Sequence, residues 1–340
     1  MTEVASGADA APMTTFKKLY PAEYLQRHLE QRVREDGRAF TDGRPASVAV
    51  GTLSHARGSA LVRWGQSTMV VAGVHAQLCK PAYERPNEGF LVPTVDLSPL
   101  CSPQYKAGPP SEDAQVMAHQ LQMFLNASNI LPRSSLCIEE GVAVWSIFVD
   151  VVCLSADGSV LDAAALAAVA ALHQCRLPVP RSVPSVDQAV FDAHDTQPLA
   201  LHGMPILATF GVHDSTYLLA DMTAFEESLA MGRLHLGLVD GADSEEAFWI
   251  KVLGHCAVRE PRELAFPELV QFCLEHAQRR AAQLRALLRD AAFAQEAHAR
   301  ARAIPFEEGR MPLDETNHEG APCGMSRGQE LCEWLHVLRL

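Results

Sequence analysis

Val142-Ala143-Val144-Trp145-Ser146-Ile147-Phe148-Val149-Asp150-Val151-Val152-Cys153-Leu154 is almost continuously apolar, and most of it is β-branched or aromatic. A strand of this kind has both faces covered, which places it in the middle of a sheet. Asp157-Gly158 then supplies a turn, and residues 162–173 are so rich in alanine that they read as a buried helix.

Upstream, residues 46–78 break into short Val-rich runs at Gly51, Gly58 and Gly65, the pattern of three or four antiparallel strands. Before them Pro21 opens a helix with Tyr24, Leu25, His28, Leu29 and Val33 on one face, which Asp36-Gly37-Arg38 is expected to end. Ser111 is placed to cap a helix whose first residues, Glu112 and Asp113, suit the helix dipole. Ala114, Met117, Ala118, Leu121, Phe124, Leu125 and Ser128 follow at helical spacing and predict a core-facing stripe.

Downstream the order recurs. Pro178, Pro180 and Pro184 mark a connection over residues 178–198, followed by strands predicted at 206–212, 216–221, 234–240 and 247–253. A long helix beginning near Pro267 carries Val270, Cys273, Leu274, Ala277, Ala281, Leu284 and Leu288 on one face. Strands first and helix last in each half predict an α+β fold of two similar halves. The expected divisions are a flexible start (1–19), a first half (20–180), a second half (181–302) and a C-terminal extension (303–340). That extension is rich in Pro and Gly, then ends on an apolar stretch with Leu331, Trp334, Leu335, Leu338 and Leu340.

With 48% hydrophobic residues in 340 the chain buries a sizeable core, and its formal charge of −13 excludes a broad basic face for nucleic acid. Any contact with RNA must be local. No stretch approaches the about 20 apolar residues of a membrane span, and the first residues do not read as a signal peptide. Nine scattered cysteines, none spaced as a zinc pair, suit reduced core thiols.

Walker, dinucleotide, paired-His zinc and nucleophile-elbow patterns are missing. Asp150, inside the apolar strand, could serve as an acid or base; the plainer reading is a hydrogen-bonded structural residue. Glu226 and Glu227 could join Asp221 around a metal, against the alternative of a solvated charge run. His255 and His276 sit among apolar neighbours and read as packing residues.

Several blocks in order carry a resemblance: Arg34-Glu35-Asp36-Gly37-Arg38; Gly58-Ser59-Ala60-Leu61-Val62-Arg63-Trp64-Gly65-Gln66-Ser67-Thr68; Pro93-Thr94-Val95-Asp96-Leu97-Ser98-Pro99-Leu100-Cys101-Ser102; Ala156-Asp157-Gly158-Ser159; and Leu218-Leu219-Ala220-Asp221-Met222-Thr223. Together they resemble RNase PH-like proteins, and in particular the inactive members of the eukaryotic RNA exosome ring. The resemblance implies a pseudo-symmetric RNase PH fold in a heterohexameric ring of RNase PH-like subunits. It also implies KH- and OB-type cap proteins, RNA passing through a central channel, a separate hydrolytic exoribonuclease, no cofactor and no membrane. Function would lie in RNA degradation and ribosomal RNA maturation in nucleus, nucleolus and cytoplasm.

Active members of the family attack the last phosphodiester of an RNA 3′ end with inorganic phosphate. They hold that phosphate on a Gly-Gly-Thr-Arg loop at a helix start and carry two Asp residues six apart nearby. The matching positions here are Gly158, Ser159, Val160 and Leu161 for the loop, and Glu227 and Arg233 for the acids. The helix over 112–128, where relatives carry RNA-contacting arginines, contains neither Arg nor Lys. The resemblance therefore implies degenerate positions Val160, Leu161, Glu227 and Arg233 and no metal. Lys80 and Arg85, on the loop after the first sheet, are its candidates for RNA contact near the channel mouth, the alternative being solvated surface charges. Rival readings are an active phosphorolytic exoribonuclease, which needs the intact loop, and an acidic interaction module unrelated to RNA.

Overall fold

The computed structural model describes residues 10–182, 186, 189–240, 245–256 and 266–303, nearly all within one compact unit, Met1–Ala299. Helices α1 (Ala10–Leu19) and α2 (Pro21–Glu30) lead into strands β1 (Ala46–Val50), β2 (Gly58–Trp64), β3 (Thr68–Cys79) and β4 (Phe90–Leu97). Helix α3 (Glu112–Ala127), strands β5 (Cys137–Glu139) and β6 (Ala143–Ser155) and helix α4 (Val160–Gln174) complete the first half. The second half holds β7 (Arg176–Ser182), β8 (Val190–Pro198), β9 (Ile206–His213), β10 (Tyr217–Ala220), helix α5 (Ala224–Leu229), β11 (Gly232–Asp240), β12 (Glu245–Gly254) and helix α6 (Phe266–Ala303).

The apolar run lies where its composition puts it. β6 sits between β3 and β4 in a sheet ordered β1-β2-β3-β6-β4, with β5 pairing its first residues. β3 runs antiparallel to it and β4 parallel; a parallel pair needs a crossover, and α3 provides it. Ser111 caps α3 as expected, its side chain accepting the Ala114 N–H at 3.2 Å. The second sheet is a meander ordered β10-β9-β11-β12. Each half is thus a sheet closed by a helix, the expected α+β arrangement of an RNase PH fold.

α4 is buried on every side from Val160 to Leu172 and packs on β1, β2, β3 and β6 of one sheet and on β9 of the other. An all-apolar helix requires such enclosure, and its alanines let both sheets approach. Gly58 shows how closely: a Cβ there would fall 2.3 Å from the Ala171 carbonyl oxygen. One continuous core therefore joins residues from both halves, from Val62 and Ile147 through Leu166 to Phe210 and Leu284.

Four local expectations are corrected. Ala10–Leu19 is helical where a flexible start was expected; Lys17 bonds Glu35 at 2.6 Å and lies 4.3 Å over the Phe225 ring. α2 stops at Glu30, before Asp36-Gly37-Arg38, because Arg32 turns left-handed at φ 56°. β4 belongs to the first sheet, so the loop carrying Lys80 and Arg85 lies within that sheet. The supposed connection at 178–198 is largely a two-stranded ribbon, β7 with β8; prolines are tolerated on strands that lack a second neighbour. The C-terminal extension beyond residue 303, with Trp334, lies outside the described residues.

Candidate functional site at the start of the alanine-rich helix

Two successive left-handed residues, Gly158 (φ 73°) and Ser159 (φ 48°), swing the chain from β6 into α4. A Cβ on Gly158 would lie 2.3 Å from the Met222 carbonyl oxygen, so the segment after β10 is pressed against this turn. Side chains from elsewhere fix the turn's carbonyls. Arg44 donates to the oxygens of Asp157 at 2.6 Å and Gly158 at 3.1 Å, and Thr68 Oγ1 donates to Gly158 O at 3.2 Å.

The first amides of a helix carry partial positive charge and attract anions. Here the anion belongs to the chain itself. Glu227 Oε2 accepts the Ser159 N–H at 3.3 Å, while its Oε1 accepts from Arg233 Nη1 at 2.7 Å. Arg233 also donates to the Glu227 carbonyl at 3.1 Å. Val160 and Leu161, which open α4, are buried in the core and present no hydroxyl or guanidinium. The structure thus brings Val160, Leu161, Glu227 and Arg233, the four positions that the resemblance implies are degenerate, to one place, the N-terminus of α4. Arg233, six residues after Glu227, neutralises it.

Beside this turn lies a buried ionic hub that spacing did not reveal. Asp221 accepts from Arg44 backbone N at 2.5 Å, Arg44 Nη2 at 2.8 Å and Trp64 Nε1 at 2.9 Å, with Arg38 Nη1 at 3.4 Å. Burial alone would raise its carboxyl, but the Arg44 hydrogen bonds and charge outweigh this and hold it below the ordinary carboxylate range. Glu226 is gripped by Arg34 through two bonds, at 2.9 and 2.6 Å, and its side chain is 3% exposed. Asp221, Glu226 and Glu227 therefore each have an arginine partner, which is the wrong donor set for a divalent cation. Among the described residues no cluster of His, Cys, Asp or Glu is placed to hold a metal.

Deeper in, Asp162 on α4 accepts from Thr209 N at 3.0 Å and Thr209 Oγ1 at 2.5 Å, and that hydroxyl meets His235 Nδ1 at 2.8 Å. Burial pushes Asp162 up to about 8 and His235 down to about 4. His213, at the end of β9, is likewise depressed by burial to about 4.

The remaining sequence candidates stand apart. β3 begins at Thr68 beside Gly158 and ends at Cys79, about 35 Å away at strand spacing, so Lys80 and Arg85 lie at the other end of the sheet. Lys80 is exposed. Arg85 pairs with Glu88 at 3.1 Å and borders a cleft of about 500 Å³ that also includes Asn126, Asn129 and Arg133. Asp150 is structural, accepting from Thr94 Oγ1 at 2.6 Å across the β4–β6 pair. His276 packs on Phe272 with ring centroids 4.6 Å apart, whereas His255 is exposed.

Residues 42–178 match the model of the 3′ exoribonuclease family, domain 1, known as RNase PH. The exosome complex component rrp43 of Schizosaccharomyces pombe is 39% identical over 215 residues, which is 63% of this chain and 79% of that protein. The exosome complex component Rrp42 of Methanopyrus kandleri is 34% identical over 253 residues, 74% of this chain and 89% of that protein. The chain belongs to the RNase PH family. Among solved structures, one described as the Archaeoglobus fulgidus exosome with RNA bound to the active site superposes with TM-score 0.65 at 28% identity. That match covers 78% of this RNase PH-family chain and 96% of the other. A chain of an archaeal exosome core gives TM-score 0.63 at 25% identity, covering 81% and 99%.

Proposed function

We propose that the chain is a structural, non-catalytic subunit of an exosome ring, supporting 3′-to-5′ RNA processing and degradation without cleaving RNA itself. Kinship with proteins named exosome components supports membership of such an assembly. The observation that carries inactivity is Glu227 on the Ser159 N–H. An incoming phosphate would need this helix terminus, and it finds a carboxylate already bound, held by Arg233. The neighbouring cations are committed as well, with Arg34 and Arg44 buried and bonded to Glu226 and Asp221.

The same reading places the chain among non-identical RNase PH-like neighbours through obligate interfaces, typically above about 2,000 Å² each. KH- and OB-type caps, a hydrolytic exoribonuclease, ribosomal RNA maturation and a nuclear, nucleolar and cytoplasmic distribution complete the proposal. They rest on the sequence resemblance. The chain's charge of −13 keeps any RNA contact local, and the Arg85–Arg133 cleft is one such place.

The test is phosphorolysis. The purified chain, given inorganic phosphate, magnesium and a 3′-tailed RNA, should release no nucleoside diphosphate above a buffer control; release would overturn the inactive assignment. Leu161→Arg should remain inactive, since Glu227 still occupies the helix terminus.

A further inference from the structure

The cleft of about 500 Å³ at the far end of the first sheet has the size of a site for a nucleotide-sized ligand. Its polar lining is Arg85, Glu88, Asn126, Asn129, Arg133 and Ser134. Leu91, Leu125 and Leu131, all buried, form the floor with Pro132 beside them. Arg133 Nη2 donates to Asn126 Oδ1 at 3.1 Å, and Arg85 Nη1 to Glu88 Oε2 at 3.1 Å. Each bond fixes one arm of a guanidinium and leaves its other N–H groups for a ligand. Two arginines against one glutamate give the lining a single positive charge. Glu84 sits on one adjoining turn and Glu139 and Glu140 on another, whose Gly141 N–H donates to Pro86 O at 3.1 Å. An anion therefore meets no broad basic field here and must be held by a few directed bonds.

The edge of the cleft also carries an aromatic ring. Residues 82–85 form a tight turn, closed by the Arg85 N–H on Ala82 O at 3.0 Å. Tyr83 on that turn is fully exposed, with both faces of its ring in water. Arg85 belongs to the turn and to the cleft alike. A free π-face beside guanidinium groups is the combination that holds single-stranded nucleic acid, because any base can stack on the ring and any phosphate can accept from the guanidinium. Asn129, whose carboxamide both donates and accepts and has no partner among the described residues, suits the edge of an unpaired base. An acidic peptide would use the arginines but leave the ring idle.

We propose that this cleft and its turn hold a single strand of RNA, with a base stacked on Tyr83 and phosphates on Arg85 and Arg133. That the strand is RNA rests on the proposed exosome role; stacking on Tyr83 does not.

The probe is a fluorescein-labelled RNA of about twelve nucleotides without internal pairing, titrated with the intact chain and followed by anisotropy at about 50 to 200 mM salt. The logarithm of affinity should fall against the logarithm of salt with a slope of about −1.4, the value for two phosphate contacts on a single strand. Tyr83→Ala should weaken binding about tenfold and leave that slope alone, while Tyr83→Phe, which keeps the ring, should match the parent. Arg85→Ala and Arg133→Ala should each reduce the slope by about 0.7, and Arg63→Ala, which removes an exposed arginine of β2, should change neither quantity. Tyr83 and Arg85 are exposed, so these substitutions leave the core untouched. No binding with about 100 μM chain, a Tyr83→Ala affinity equal to the parent's, or arginine variants that keep the parent's slope would overturn the proposal. Displacement of the labelled RNA by hexaglutamate as readily as by unlabelled RNA would also overturn it and make the cleft a site for an acidic peptide. The composition of the ring is read separately, by mass spectrometry of the complex, so a failure here leaves the ring proposal standing.

Discussion

Replacing Asp221 with alanine attacks the hub that holds the α4 turn to the rest of the molecule. The carboxylate pairs with Arg44, whose side chain is 8% exposed, and accepts the indole N–H of Trp64 at 2.9 Å. Without it a buried guanidinium loses its close counter-charge and keeps only Asp157 at 3.9 Å, a change that costs about 3–5 kcal/mol, and the indole N–H loses its acceptor, worth about 1 kcal/mol more. The expected loss is about 5 kcal/mol, or a melting temperature lower by about 10–15 °C in a domain of this size. Asp221→Asn keeps an acceptor for Trp64 and removes only the charge, so it should fall between the two. Arg85→Ala, breaking an exposed pair, should change stability by less than about 1 kcal/mol. Denaturant unfolding followed by far-UV circular dichroism measures all three. A loss under about 1 kcal/mol for Asp221→Ala would refute the hub's role.

Two further outcomes are expected. Asp162 keeps its proton up to about pH 8 when folded but loses it near 3.8 when unfolded, so its contribution declines as pH rises through that window. His213 and His235 stay neutral down to about pH 4 when folded but protonate below 6.5 when unfolded, so their contributions are lost as pH falls from 6.5 to 4. At about 1.4 kcal/mol per unit for each group, two histidines outweigh one carboxyl below pH 6.5 and the carboxyl acts alone above it. Stability from unfolding curves should therefore peak near pH 6.5, and Asp162→Asn should flatten the decline from 6.5 to 8; an unchanged slope would contradict it. Gly158→Ala should cost about 3 kcal/mol, since the added Cβ meets the Met222 carbonyl at a left-handed φ of 73°; a thermal melt like the parent's would contradict the tight turn.

Much of the fold could be read from composition because single segments carried it. The run through β6 and the alanines of α4 each demand burial on all sides, and the glycine breaks among β1, β2 and β3 leave only a meander. β4 escaped because Pro93 and Asp96 interrupt its apolar positions; as the outer strand of its sheet it tolerates both. The ribbon of β7 and β8 escaped for the same reason. At the site, Val160, Leu161, Glu227 and Arg233 could be picked out only through family resemblance, and nothing local announced that Glu227 would fold back onto Ser159. Arg34 and Arg44 find their partners 192 and 177 residues away. No periodicity encodes such pairs, although Arg34 and Asp221 both lie in the blocks that carry the resemblance.

The central claim is that this chain is one part of a ring of different but related subunits. Native mass spectrometry of the complex isolated through a tag on the intact chain tests it most directly. A single copy of this chain with five other RNase PH-like subunits is the predicted result, and a free monomer or a homo-oligomer would contradict it.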